Sequence, residues 1–299
     1  MSAHEPVLLN ETIKFLRPEE GKAFIDATVD GGGHARAILN AMNKRAVLVG
    51  IDRDAGMLAR LERELGKDRR LKLVCGNFRN LAKPTRIFSR AYDGVLFDFG
   101  LSSIQLESSG RGFSFLKDEP LLMTYAAKPK VGDLTAALIV NSWPEEEILK
   151  ILWQYGEERF ARRIARALAE ERRRIKILTT FHLVRVIDKA VPSGYRRAKI
   201  HPATRTFQAL RIAVNDELDS LKGGLEEAWG VLKPGGRLVA ISFHSLEDRI
   251  VKNFFKGKKA EAEILTKKPV CPASGEVLKN PRARSAKLRA AQKTKNAKV

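Results

Sequence analysis

Residues 24–35 read FIDATVDGGGHA: an apolar pair ending on Asp26, a second acid at Asp30, three glycines and a histidine. Apolar and β-branched residues stopped by glycines predict a short buried strand, and "HARAILNAM" behind them has helical spacing. A glycine-rich turn between strand and helix sets bare backbone N–H groups and a helix N-terminus beside a ligand. The alternation continues outward. "AVLVGIDRD" predicts a second strand ending on an acid, and "AGMLARLERELG" a helix stopped by Gly66. "LKLVCGNF" and "YDGVLFDFG" read as third and fourth strands. "RLVAISF", behind the turn Pro234-Gly235-Gly236, reads as a fifth. Such a pattern predicts an α/β fold, a parallel sheet with helices on both faces. "AEILTKKPV" and "RSAKLRAA" are weaker candidates for two more strands, the second reading equally as basic tail.

Roughly 110 residues separate the fourth and fifth strands, too many for one crossover. Ile148, Ile151, Leu152, Tyr155, Phe160, Ile164 and Leu168 mark a helical face there, opposite seven arginines between Arg159 and Arg174. A helical domain inserted into an α/β core is the expectation. The core spans 1–110 and 215–290, the insertion 111–214, and a basic tail 291–299.

The 299 residues carry 55 Lys+Arg against 35 Asp+Glu, a formal charge of +20 with pI near 10.1. Such a chain attracts polyanions by displacing their counterions, and the excess is clustered, with no acid after Glu276. Nucleic acid is the expected partner. No run approaches ~18 apolar residues, so no membrane span is expected. The start lacks a basic stretch followed by an apolar one, so no secretory signal is expected. Cys75 and Cys271 make no metal spacing and no disulfide framework, which suits a reducing cytoplasm.

Three ligands compete for the glycine turn. A nucleoside triphosphate wants Lys-Ser or Lys-Thr at the loop's end, and Gly33-His34-Ala35 has neither. A nicotinamide dinucleotide wants a third glycine where Arg36 stands, and Asp30 repels a pyrophosphate. S-adenosylmethionine carries a sulfonium and an ammonium, which a nearby aspartate favours. Asp52 stands where a carboxylate accepts ribose hydroxyls, or else caps the next helix. Phe78 can stack on adenine or belong to the core. Asp98 ends the fourth strand, where ligands of open α/β sheets sit. It is the candidate catalytic acceptor for the N–H groups of an amine, or a contact of the donor's methionine moiety. The stretch Asp98-Phe99-Gly100-Leu101 lacks the (D/N/S)-P-P-(Y/F) tetrad of many amino methyltransferases.

"HEPVLLNE", "DATVDGGGHA", "FDFGLSSIQL", "RGFSF", "YGEERFARRIARAL", "HPATRTFQALRIAVNDEL", "GGRLVAISFHSLEDRIVK" and "NPRARSAKLR" together resemble the ribosomal small-subunit methyltransferase H (MraW) family, nearly end to end. The resemblance implies a Rossmann-like class I methyltransferase core with a helical insertion and a last strand from "RSAKLRAA". It implies S-adenosyl-L-methionine as cofactor, held at Gly32, Gly33, His34, Asp52, Phe78, Asp98 and Gln105. The implied activity is methylation of N4 of a cytosine in the decoding region of 16S rRNA, within the small ribosomal subunit. His201, Arg205, Arg211 and His244 are candidate substrate contacts, with structural roles as the alternative. Ser102 and Ser103 read as helix caps first. The family usually has glycine where this chain has Asp30, which should alter the loop. It has an acid and a base where Leu122 and Thr124 stand. The competing readings are a methyltransferase for another nucleic acid and a non-catalytic ribosome-assembly factor that keeps a donor pocket.

Overall fold

The computed structural model describes residues 6–101, 106, 109–126, 129–130, 132–197 and 200–294. The chain separates into two compact units, Met1–Gly100 with Leu218–Val299, and Leu101–Glu217. The insertion thus begins and ends at other residues than the 111 and 214 expected from sequence.

Along the chain, the first unit forms α1 (Leu9–Leu16), β1 (Ala23–Asp26), α2 (Gly33–Ala41), β2 (Val47–Asp52), α3 (Ala55–Leu65), β3 (Leu71–Cys75) and β4 (Tyr92–Asp98). The longer helices of the second unit are α4 (Ala136–Ser142), α5 (Glu145–Gln154), α6 (Ala161–Glu171), α7 (Thr180–Ala190) and α8 (Thr204–Asn215). Then follow α9 (Glu217–Val231), β5 (Leu232–Ser242), α10 (Ser245–Gly257), β6 (Ala262–Ile264) and β7 (Lys287–Lys293).

The seven strands make one sheet in the order β3-β2-β1-β4-β5-β7-β6. β1 to β5 run parallel, and β7 is antiparallel to both its neighbours. Both weak C-terminal candidates are strands. Residues 291–293, expected in a basic tail, belong to β7, where Ala291 pairs with Leu238 and Lys293 with Ala262. Ala290 and Ala291 are buried, and this apolar pair holds the strand in the sheet against the surrounding charge.

β1, β2, β4 and the second half of β5 are buried on both faces, so they read as apolar runs, while the edge strand β3 (LKLVC) is only partly buried. Phe24, Leu48, Leu96 and Val239 pack with Ile38 of α2 and Leu61 of α3 on one side. Ile25, Val49, Val95 and Ala240 pack with Leu225 of α9 and Val251 of α10 on the other. Each Phe, Leu, Ile or Val among them stabilises the fold by about 1.5–3 kcal/mol through burial. Because β2 and β4 flank β1, the chain winds away in two directions from β1 and β4. That switch point opens a crevice at their carboxyl ends. The expected Pro-Gly-Gly turn is a bulge within β5: Tyr92 pairs with Leu232 and Gly94 with Arg237, and the intervening residues loop out with Gly235 at φ 83°.

The second unit has its own apolar core, including Ile139, Ile148, Leu152, Ile164, Leu168 and Ile187. The apolar face expected from Ile148 to Leu168 is two helices. The break lies at Glu157, φ 48°, and Glu158, 2% exposed, which accepts from the Phe160 N–H (2.8 Å) and the Tyr195 hydroxyl (2.9 Å). A second break separates α8 from α9 at Asp216, φ 50°. Buried Asn215 fixes it, donating to the Met123 (2.7 Å) and Arg211 (2.9 Å) carbonyls and accepting from the Tyr125 N–H (2.9 Å). Among the described residues, no helix is long and apolar enough to cross a membrane.

Candidate active site

Asp26, Asp52 and Asp98 end β1, β2 and β4, which neighbour one another in the sheet. Their carboxylates therefore gather where the switch-point crevice opens. The glycine turn is tied to β2 by the Val29 N–H to the Ile51 carbonyl (2.9 Å) and the Asp30 N–H to Oδ2 of Asp52 (3.1 Å). Oδ1 of Asp52 accepts from the Asp54 N–H (2.8 Å). The capping role weighed for Asp52 falls to Asp54, whose Oδ1 accepts from the N–H groups of Gly56 (2.9 Å) and Met57 (3.3 Å). Asp52 instead fixes the turn, and each of its oxygens keeps acceptor capacity for a hydroxyl.

Gly32 precedes α2 at φ 77° and, being glycine, brings no side chain of its own to cap the first-turn N–H groups. A Cβ at this position would stand 2.3 Å from Cδ1 of buried Leu61. Gly32→Ala therefore combines a left-handed backbone with overpacking, and should cost about 2–4 kcal/mol in chemical denaturation. A variant as stable as the wild type would contradict this. Asp30, where the loss of glycine was expected to reshape the loop, adopts φ 41°. It holds the conformation a glycine takes freely, at a strain of about 1–2 kcal/mol.

Asp26 is 1% exposed; its Oδ1 accepts from the Thr28 N–H (3.3 Å), while Oδ2 is buried without a hydrogen-bond partner among the described residues. Thr28 also links the two strand ends, its Oγ1 accepting from the Asp98 N–H (2.7 Å). Oδ2 of Asp98 lies 3.4 Å from Nδ1 of His34, and its Oδ1 is likewise buried and unpartnered. Burial pushes the Asp26 carboxyl up to about 7, opposed by the charge of His34, and burial pushes Asp52 up to about 6. Both raised values have one sign. From the ordinary 3.8 upward, the folded chain keeps protons that the unfolded chain has released, so these groups make stability fall as pH rises to about 7. Asp26→Asn should remove its share. The variant's melting point relative to wild type should climb between pH 4.5 and 7.5, and a constant difference would refute the assignment.

The remaining expected residues are placed as follows. Phe78 is half-buried against Phe97 (5.5 Å between ring centroids) and Phe99 (5.9 Å), with Gly224 of α9 close to its ring. Gly33 opens α2 beneath Pro6. Gln105, Ser102 and Ser103 lie outside the described residues. His244 caps α10: its Nδ1 accepts from the Glu247 N–H (3.4 Å), and the Glu247 carboxylate accepts from the His244 N–H (3.3 Å). The sequence signal for this was His-x-x-Glu ahead of an apolar run, the spacing of a capping box. In the second unit, His201 is exposed and stacks on Phe115 at 4.4 Å, and Arg205 donates to the Glu157 carbonyl (3.2 Å). Arg211 is held in a two-pronged pair with Glu217 (2.9 Å through both Nε and Nη2). Leu122 and Thr124 make no ion pair, being apolar and neutral; Thr124 is buried and its Oγ1 accepts from the Ala126 N–H (3.2 Å). Thr28 and Val7 were absent from the expected site, and Asp26 was read as part of the glycine-turn pattern without a contact of its own.

The profile of the MraW methylase family matches residues 1–294. The chain belongs to the MraW methylase family. Among its relatives, the ribosomal RNA small subunit methyltransferase H of Carboxydothermus hydrogenoformans is 47% identical, over 97% of this chain and 98% of the relative. The proteins of the same name from Thermomicrobium roseum (45%, over 98% and 94%) and Halothermothrix orenii (44%, over 99% and 100%) are similar throughout. For a methylase on this fold the methyl donor is S-adenosyl-L-methionine, and the residues present fit it. The unpartnered oxygens of Asp26 and Asp98 are acceptors suited to an ammonium or an N–H group. Asp52 suits ribose hydroxyls, and the first turn of α2 suits the donor's carboxylate.

Proposed function

We propose that this MraW methylase transfers a methyl group from S-adenosyl-L-methionine to the exocyclic N4 of a cytosine in the decoding region of 16S rRNA, acting in the cytoplasm on the small ribosomal subunit. The observation that carries the reading is Oδ1 of Asp98, a buried acceptor at the end of β4 without a hydrogen-bond partner among the described residues. Bound S-adenosylmethionine supplies an electrophilic methyl carbon on sulfur. An exocyclic amine has its lone pair delocalised into the ring. Asp98 accepts an N–H of that amine, which localises the pair and orients the nitrogen toward the methyl carbon. As the N–C bond forms, the S–C bond of the donor would break and leave a neutral thioether, and the proton then shed from the nitrogen is acidic enough to leave without a stronger base.

A cytosine must leave its stack to reach a pocket at strand ends. Phosphate contacts suit the exposed Arg159, Arg162, Arg163, Arg173 and Arg174, with exposed His201 and neighbouring Arg205 as further candidates. Arg172 is excluded from that set, since it donates to the Val140 (3.2 Å) and Trp143 (2.6 Å) carbonyls at the end of α4. The test is incubation with labelled S-adenosylmethionine and unmethylated small subunits, naked RNA or DNA, followed by mass spectrometry of the product. Label on a cytosine N4 of 16S rRNA from the subunits supports the reading. Label only on DNA, or none at all, overturns it.

A further inference from the structure

The ring of His34 is the part of this site that no step above uses. It is 6% exposed and has an acceptor at each nitrogen: the Val7 carbonyl 3.0 Å from Nε2, and Oδ2 of Asp98 3.4 Å from Nδ1. A carbonyl only accepts, so Nε2 carries a proton. A carboxylate also only accepts, so Nδ1 carries one too, and both partners are satisfied together by an imidazolium. The charges around the ring match that state. Asp98 on β4 and Asp26 on β1 act on it, Asp52 on β2 acts on Asp26, and among the described residues of the N-terminal segment it is the neutral Val7 carbonyl that faces Nε2. Without a cation, three carboxylates would crowd one buried corner, and like charges there disfavour the ionised form. Burial pulls the His34 imidazole down, but the Asp98 hydrogen bond and the charges of Asp98 and Asp26 outweigh it and hold it above its ordinary value.

We propose that His34 is a positioning residue for methyl transfer: pinned by Val7, its imidazolium holds Oδ2 of Asp98 and leaves Oδ1 to receive the N–H of the substrate amine. This rests on the reading that the chain methylates an amine through Asp98. A histidine serving packing alone would need no charge.

Two measurements on the full chain test it. In nitrogen NMR of histidine-labelled protein at pH 7.5, the His34 signal, identified by its loss in His34→Gln, should show both ring nitrogens protonated. It should turn neutral in Asp98→Asn. A neutral ring in the wild type overturns the proposal. If His34→Gln does not fold, the signal is the one that Asp98→Asn shifts. In the pH–rate profile on small subunits, His34→Gln should move the acid limb of kcat upward by about one unit or more. Its activity should recover to within a few-fold of wild type near pH 9. A loss equal at every pH would mean a packing role and overturn the proposal. Failure of the wild type to methylate rRNA would sink the substrate reading alone, with the NMR result still deciding the state of His34.

Discussion

Asp98→Asn should lower kcat for methyl transfer by about 10²–10³-fold, the usual loss when one transition-state hydrogen-bonding group is removed. The amide keeps the shape of the carboxylate but places an NH₂ where an acceptor stood, so an amine N–H meets a donor or a weaker acceptor. Asn is preferred to Ala because truncation would also leave buried His34 facing a void. Calorimetry with S-adenosylhomocysteine separates the two roles considered for Asp98. An acceptor for the target amine predicts a dissociation constant within a few-fold of wild type and a collapsed kcat. A contact to the donor's methionine moiety predicts weakened binding instead, with kcat largely retained at saturating donor.

Asp52→Ala should do the reverse. It removes the acceptor for two hydroxyls, and hydrogen bonds to a charged group contribute about 1.5–3 kcal/mol each. It also strips the Asp30 and Asp54 N–H groups of their partner. Donor affinity should fall about 10²-fold, or about 2.7 kcal/mol, with kcat at saturation changed far less. Unaltered binding of S-adenosylhomocysteine would show that the end of β2 does not form the ribose site.

The sheet was legible because its evidence is local. β1, β2 and β4 are short apolar runs buried on both faces, and each ends on an aspartate followed by a loop. The weaker β6 and β7 were ambiguous for the same reason: β7 reads KLRAAQK, too short of apolar residues for a clear strand pattern, and its partners lie in β5 and β6 rather than beside it in sequence. The helix breaks at Glu157 and Asp216 carry no glycine or proline signal at the break residue itself. They are set by Glu158 bonding Tyr195 and by Asn215 bonding Met123, contacts between distant segments. For His244 and Arg211, weighed as substrate contacts or as structural residues, the structure shows a cap on α10 and a two-pronged pair with Glu217; the pair depends on side-chain direction, which spacing along the chain does not encode.

The sequence by itself determined the alternating α/β core, the glycine turn with its flanking acids, the basic character and the family, because these are written in contiguous residues and their spacing. Only the tertiary structure decided how the acids divide their work. Asp54 caps the helix, Asp52 ties down the turn, and Asp26, Asp98 and His34 share one buried corner with the Val7 carbonyl. Those groups come from four separate segments. Hydrogen bonding and burial act on distances in space, which no periodicity along the chain encodes.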